Sequence, residues 1–154
     1  MQNKSFVLPV AMALSLAISI IGCNTQKDRA EDILNQGIKL FQEGKYDDAI
    51  QKYQEGLLIN PNNPSGYNLL GMAYRFKFNQ SGTQEFKDKE IEAFKKAIAL
   101  DPKFWVAYKN LSVSLYNQGR KKEAVPYLER SLELQPNDPE KQFLLQWIEE
   151  GKKQ

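Results

Sequence analysis

Three prolines at similar intervals constrain this chain more than any other feature of its sequence. Pro61, Pro102 and Pro136 each follow an amphipathic segment, and the steps between them are 41 and 34 residues. Proline cannot continue a helix, because it lacks the backbone N–H donor and its ring clashes with the preceding turn. The chain is therefore expected to fold as a series of helices that stop at similar intervals.

Large and small side chains alternate at helical intervals within these segments. Tyr67, Leu70, Gly71 and Tyr74 are separated by offsets of three, four and seven residues, which lie on one face of a helix. A glycine between large residues lets a second helix approach closely, and that helix supplies small positions of its own, such as Ala97. Each unit is therefore predicted to be two antiparallel helices that nest small residues against large ones.

This pattern resembles the tetratricopeptide repeat family, whose repeat is 34 residues long. The resemblance implies an all-α fold in which antiparallel helix pairs stack into a short right-handed superhelix. Glu90 departs from the family pattern, because alanine is expected at that position. The tetratricopeptide domain is predicted over 30–151, with a first helix from about Asp28, units at about 30–63, 64–104 and 105–138, and a capping helix at 139–151.

The second unit is seven residues longer than the repeat, and the excess lies between its two helices. Ser81 with Gln84 three residues later is typical of a helix start, so the extra residues are expected to lengthen the second helix at its N-terminal end. Phe86 would then project beyond the neighbouring helices. Phe78 and Phe86 are interpreted as a second candidate contact site. The alternative is that the aromatic side chains of this segment pack on one another.

One more amphipathic segment follows Pro136 and is predicted to form the capping helix. Phe143, Leu144, Trp147 and Ile148 are expected to face the core, with charged residues on the opposite side. Terminal repeats need such a polar outer face to remain soluble.

The first residues have the layout of a secretory leader, with an apolar run over 6–21 that is shorter than the ~20 residues needed to span a bilayer. The run ends in Ile20-Ile21-Gly22-Cys23, which resembles the lipobox of bacterial lipoproteins, where the cysteine is acylated before cleavage. The alternative is an uncleaved anchor. The resemblance implies a signal peptide over 1–22, a lipid on Cys23, and a short tether over 23–29.

Asn24 follows the cysteine, where an aspartate would resemble an inner-membrane retention signal. The resemblance therefore favours the outer membrane over the inner membrane. On these grounds the chain is expected to be a lipid-anchored protein of the bacterial cell envelope.

The residue types limit the chemistry available to the chain. Its 21 basic and 19 acidic residues leave a net charge of +2, which does not indicate nucleic-acid binding. The chain has no histidine, and its one cysteine is Cys23. It can therefore form neither a serine–histidine or cysteine–histidine nucleophilic pair nor the usual zinc site. No catalytic site, cofactor or metal is expected, and the chain is interpreted as a non-enzyme.

In the tetratricopeptide family the first helix of each unit lines a concave groove that resembles a peptide-binding cradle. The family's two-carboxylate clamp uses lysines, asparagines and an arginine, whereas this chain has Leu34, Ile38, Leu69 and Val106 there, so the clamp is absent. An apolar floor with polar groups around it suits an amphipathic helix or an extended apolar segment with some acidic character. The predicted groove residues are Leu34, Ile38, Phe41, Asn68, Met72, Arg75, Lys109, Asn110, Val113 and Tyr116.

The function predicted from the sequence is a membrane-tethered adaptor that docks another envelope protein, such as a component of a secretion, pilus or cell-wall complex. Met72, Arg75, Lys109 and Tyr116 are expected to be reachable and to form the binding centre. The alternative is a self-associating structural module, in which a homo-oligomer forms through the groove or the Phe86 hairpin.

Overall fold

The computed structural model describes the backbone of residues 10–153 and the side chains of residues 25–153. Within this part of the chain the regular structure is helical and no strand forms. The all-α repeat superhelix predicted from the sequence is confirmed. The helices are α1 (Val10–Gln42), α2 (Tyr46–Ile59), α3 (Pro64–Ser81), α4 (Gln84–Leu100), α5 (Trp105–Asn117), α6 (Lys121–Leu134) and α7 (Lys141–Lys152).

The helices pack as three successive pairs, α1 with α2, α3 with α4 and α5 with α6, and α7 packs on α6. The first helices of neighbouring pairs also contact each other, α1 with α3 and α3 with α5. The second helix of each pair instead contacts the first helix of the next pair. The first helices therefore form the inner side of the superhelix, and the second helices lie behind them.

Close helix contacts depend on small residues, as the sequence pattern predicts. A Cβ atom added at Gly71 of α3 would lie 2.6 Å from Cε1 of Phe94, which is fully buried in α4. The same applies to the first pair, where a Cβ atom at Gly37 would lie 2.6 Å from Cε1 of Tyr53. The alternation of glycine with large aromatic residues thus sets the separation of the paired helices.

The extra residues of the second unit are divided between its two helices, whereas the sequence reasoning assigned them to the second helix alone. α3 has 18 residues against 13 in α5, and α4 has 17 against 14 in α6. α3 runs on to Ser81 because nothing before Gly82 breaks it, and Gly82 ends it with a φ of 70°. Phe86 does not project into solvent, because its ring stacks on Tyr74 with the centroids 6.1 Å apart.

α1 begins earlier than the sequence reasoning placed it. It runs for 33 residues through the segments predicted as leader and tether, and no proline interrupts the sequence from Val10 to Gln42. The predicted lipid site at Cys23 lies outside the described side chains. Among the described residues, no helix combines the length and apolar character needed to cross a membrane.

Candidate functional site

Four helices present side chains to the inner side of the superhelix. α1, α3 and α5 contact one another in turn, and the rings of Tyr116 on α5 and Trp147 on α7 stack on each other. We call the surface of these four helices the inner groove. From their partly buried or exposed apolar side chains we assign to it Ile38, Phe41, Met72, Val106, Val113, Tyr116, Phe143 and Trp147.

Two predicted groove residues are buried between helices. Leu34 lies in the core, close enough that a Cβ atom added at Gly56 would be 2.9 Å from its Cδ2 atom. Asn68 is also buried, and its Oδ1 atom accepts a hydrogen bond of 2.9 Å from Nδ2 of Asn110. Leu34 and Asn68 therefore join helices to each other and do not line the groove as predicted.

Arg75 holds α3, α4 and α5 together through a buried acid. Its Nε atom donates a 2.6 Å hydrogen bond to Oε1 of Glu90, which is 3% exposed. Its Nη2 atom donates to the backbone oxygen of Asn110 and to Oγ of Ser114, both at 2.7 Å. Ser114 in turn donates to Glu90. Glu90, which stands where the repeat pattern has alanine, is thus paired with Arg75, and the arginine neutralises its charge.

Lys109 is ion-paired to the segment before α7. Its Nζ atom lies 2.9 Å from Oδ2 of Asp138 and 2.8 Å from Oε2 of Glu140. Burial acts to lower the pKa of Lys109, but hydrogen bonds to Glu140 and Asp138 outweigh it and raise the pKa above its ordinary value. Asp138 is buried and also accepts the backbone N–H of Glu140 at 2.8 Å. Lys109 therefore fixes the start of the capping helix.

Three aromatic rings form a continuous wall on α5 and α7, and we call Tyr116, Phe143 and Trp147 the aromatic wall. The ring centroids of Tyr116 and Trp147 are 3.8 Å apart and the two rings are nearly parallel. The ring centroids of Phe143 and Trp147 are 4.6 Å apart. The Tyr116 hydroxyl donates to Glu150, and Lys121 lies 2.8 Å from the same carboxylate. Hydrogen bonds from Lys121, Tyr116 and Gln146 lower the pKa of Glu150 to about 2.

The residues predicted to form a reachable binding centre are mostly engaged within the chain. Arg75 and Lys109 are both partly buried and ion-paired, so they are not free for a ligand as predicted. Met72 packs against the core cluster around Phe94. Tyr116 is partly buried in the aromatic wall. The two cations predicted to bind a ligand, Arg75 and Lys109, are thus already paired, and the groove residues assigned above are aromatic or aliphatic.

The aromatic wall was not predicted from the sequence, because Phe143 was placed in the core together with Trp147. The structure buries Leu144 and Ile148 and packs Trp147 against the same core cluster, but it leaves Phe143 50% exposed. Phe143 and Trp147 are four residues apart and share one helix face, turned by about 100° from that of Leu144 and Ile148. The one-residue offset between these two pairs was the sequence signal that could have distinguished the exposed face from the buried face.

Phe78 and Phe86 do not form one contact site. Phe86 packs on Tyr74 at the core. Phe78 lies under Nζ of Lys87, 4.6 Å from its ring centroid, and lines a small pocket with Arg75. Phe86 therefore packs on another aromatic side chain, as the alternative interpretation expects, whereas Phe78 borders a separate polar pocket.

Acidic side chains could in principle hold a metal, but across residues 25–153 none of them gather with the spacing of a metal site. Three acids that lie between structural elements, Glu90, Asp138 and Glu150, each pair with a cation of the chain. Their charges thus stabilise contacts between helices.

Two family models match the sequence. One described as "TPR repeat" matches residues 37–75, and one described as "Tetratricopeptide repeat" matches residues 105–138. Small glutamine-rich tetratricopeptide repeat-containing protein 2 of Mycosarcoma maydis is 32% identical over 71% of this chain and 29% of its own length. RNA polymerase II-associated protein 3 of Homo sapiens is 30% identical over 76% of this chain and 16% of its own. The chain thus spans less than a third of these curated relatives.

A solved structure extends the similarity to three dimensions. The first tetratricopeptide domain of Spaghetti (RPAP3), bound to the HSP90 peptide SRMEEVD, superposes with a TM-score of 0.72 and 27% identity. The alignment covers 83% of this chain and 98% of that domain.

These comparisons contradict the predicted location. The curated relatives are proteins of a fungus and of human, and they are not lipid-anchored proteins of a bacterial envelope. The outer-membrane placement falls with that location, whereas the secretion, pilus or cell-wall role stays a prediction. The family matches and the packing of the helix pairs agree with each other: the chain contains tetratricopeptide repeats, and its helices have the fold of that family.

Proposed function

We propose that the inner groove binds a peptide segment of a partner protein, so that the chain acts as an adaptor between proteins. The observation that carries the proposal is the aromatic wall, in which Phe143 is 50% exposed beside Tyr116 and Trp147. Tyrosine and tryptophan are the residue types most enriched among binding hot spots. The similar domain of Spaghetti holds a peptide in its structure, which supports the same use of this fold.

The groove favours an apolar segment over the acidic peptide held by that relative. The positions of the family's carboxylate clamp hold Leu34, Ile38, Leu69 and Val106, and Leu34 is buried. The nearby cation Lys109 is neutralised by two carboxylates. A peptide with aromatic or aliphatic anchors would bury apolar area against the aromatic wall without competing for these ion pairs.

Selection from a random peptide library displayed on phage tests this proposal with the full chain. We expect the selected peptides to share apolar anchor residues. Phe143→Ala should weaken their binding by about tenfold or more, because an exposed aromatic anchor contributes about 1–2 kcal/mol to a peptide interface. The thermal midpoint of Phe143→Ala should stay close to that of the wild type, because half of the Phe143 side chain is already exposed to water.

Leu58→Ala provides the matched control. Leu58 is 83% exposed and lies on α2, a second helix outside the inner groove. Both variants shorten one exposed apolar side chain, but only Phe143→Ala alters the aromatic wall. Peptides whose affinity falls in Leu58→Ala and is unchanged in Phe143→Ala would show that the outer helices bind the partner.

A further inference from the structure

A small polar pocket lies at the ends of α3, α4 and α5, apart from the aromatic wall. Its cavity volume is about 220 Å³, enough for one small functional group. The last turn of α3, which supplies Phe78 and Asn79, belongs to the extension that makes α3 five residues longer than α5. The other side chains used below are Arg75, Lys87, Glu90, Ser114 and Gln118, all of which line the pocket.

The pocket contains a buried donor without an acceptor. Nε2 of Gln118 is shielded from solvent and has no hydrogen-bond partner in the described part of the chain. Its Oε1 atom accepts from Nη1 of Arg120 at 3.5 Å, which orients the amide so that its NH₂ group is the unpaired end. Buried polar groups are rarely left unpaired, because burial removes their hydrogen bonds to water.

The pocket also carries an excess positive charge. The charge of Glu90 is matched by Arg75, whose Nε and Nη2 atoms are occupied by Glu90, Ser114 and Asn110. Lys87 forms no ion pair with any side chain among residues 25–153, and its Nζ atom lies over the ring of Phe78. An uncompensated ammonium group and an unpaired amide donor therefore border the same pocket.

We propose that this pocket binds a carboxylate group, with Lys87 and Gln118 as its donors. A carboxylate has two acceptor oxygens and a negative charge, which match one amide donor and one cation. Arg75 and Ser114 belong to first helices, so the pocket borders the end of the inner groove. For the source of the carboxylate the inference rests on the proposed function: it would come from an acidic side chain or the C terminus of the bound peptide.

This pocket is distinct from the positions of the family's carboxylate clamp. Those positions are apolar in this chain, as at Leu34 and Val106. Lys87 lies on α4, a second helix, and Phe78 lies in the extended part of α3. The longer second unit thus supplies a carboxylate site that a 34-residue repeat would lack.

Nuclear magnetic resonance titration of the ¹⁵N-labelled full chain tests the proposal without the partner. Three small probes separate the sources: N-acetylglutamate α-amide carries a side-chain carboxylate, N-acetylalanine carries a C-terminal carboxylate, and N-acetylglutamine α-amide carries neither. We expect saturable shifts of the side-chain amide signals of Gln118 with at least one carboxylate probe and none with the neutral probe. The probe that binds more tightly identifies the source.

Variants show whether the binding belongs to this pocket. Lys87→Gln should weaken the binding of the carboxylate probe by about tenfold, because it removes a charge-assisted hydrogen bond. Lys95→Gln, which removes the charge of an exposed lysine farther along α4, should leave it unchanged. Equal shifts with the neutral probe, no shift with any probe, or wild-type affinity in Lys87→Gln would each overturn the proposal. Peptide capture by the aromatic wall could still succeed in that case, so the two failures are distinguishable.

Discussion

Glu90 and Arg75 show how much a single residue can add to the repeat pattern. Glu90 stands where the pattern has alanine, and a buried carboxylate needs a cation and hydrogen bonds to offset its lost hydration. The departure was visible in the sequence, but its partner was not, because Arg75 lies on another helix and was expected to face a ligand. Periodicity predicts which residues share a face. It does not predict which charges meet across helices.

Removing Arg75 should destabilise the fold, so an affinity measured on Arg75→Ala would mix folding with binding. Arg75→Ala leaves the carboxylate of Glu90 buried without its cation, which we expect to cost about 3 kcal/mol of unfolding free energy. Arg75→Ala combined with Glu90→Ala should recover most of that loss, because the buried charge goes as well. Urea unfolding measures both. A double variant no more stable than Arg75→Ala would contradict the pairing.

Glu150 makes the stability of the capping helix depend on acid pH. Its pKa falls from an ordinary value of 4.5 to about 2 in the folded chain, chiefly through hydrogen bonds from Lys121 and Tyr116. A lowered folded pKa contributes stability that is complete above about pH 4.5 and is lost as the pH falls towards 2. The thermal midpoint of the wild type should therefore exceed that of Glu150→Gln at pH 6, and the difference should shrink by pH 2.5. A difference independent of pH would exclude this role.

At the scale of helices, the sequence predicts the features that depend on residues close together in the chain. The prolines and the glycine–aromatic alternation predicted the helix pairs, since chain breaks and close packing are encoded by neighbouring residues. The division of the second unit's extra residues was missed, because Ser81 and Gln84 have the spacing of a helix start while Gly82 sets the actual end of α3. The start of α1 was placed at about Asp28 because residues 1–22 were interpreted as a leader and residues 23–29 as a tether, whereas the helix begins at Val10.

Gly71 tests the packing of α3 on α4. Replacing glycine by alanine in a helix ordinarily stabilises it by about 1 kcal/mol. At Gly71 the sign should reverse, with a cost of about 1–3 kcal/mol, because the new methyl group would meet the buried ring of Phe94. Urea midpoints of Gly71→Ala and of Ser65→Ala, an exposed change in the same helix, measure the effect. A more stable Gly71→Ala would mean that the two helices are not in close contact there.

At the scale of the whole molecule, the ion pairs determine which side chains of the inner groove are free to contact a partner. Arg75 and Lys109 looked like ligand-binding cations in the sequence, but in the superhelix they hold neighbouring elements together. The aromatic wall, on α5 and the capping helix α7, is an apolar part of the groove that stays partly exposed. A partner is therefore expected to contact the C-terminal half of the inner groove. Self-association through the same surface stays a prediction.

Amide hydrogen–deuterium exchange of the full chain, with and without a peptide selected on it, tests the central claim most directly. If the inner groove binds the peptide, exchange should slow most in α5 and α7, which carry the aromatic wall, and least in α2 and α6 on the outer side. Slower exchange in α2 and α6, with α5 and α7 unchanged, would contradict the claim that this groove is the binding site.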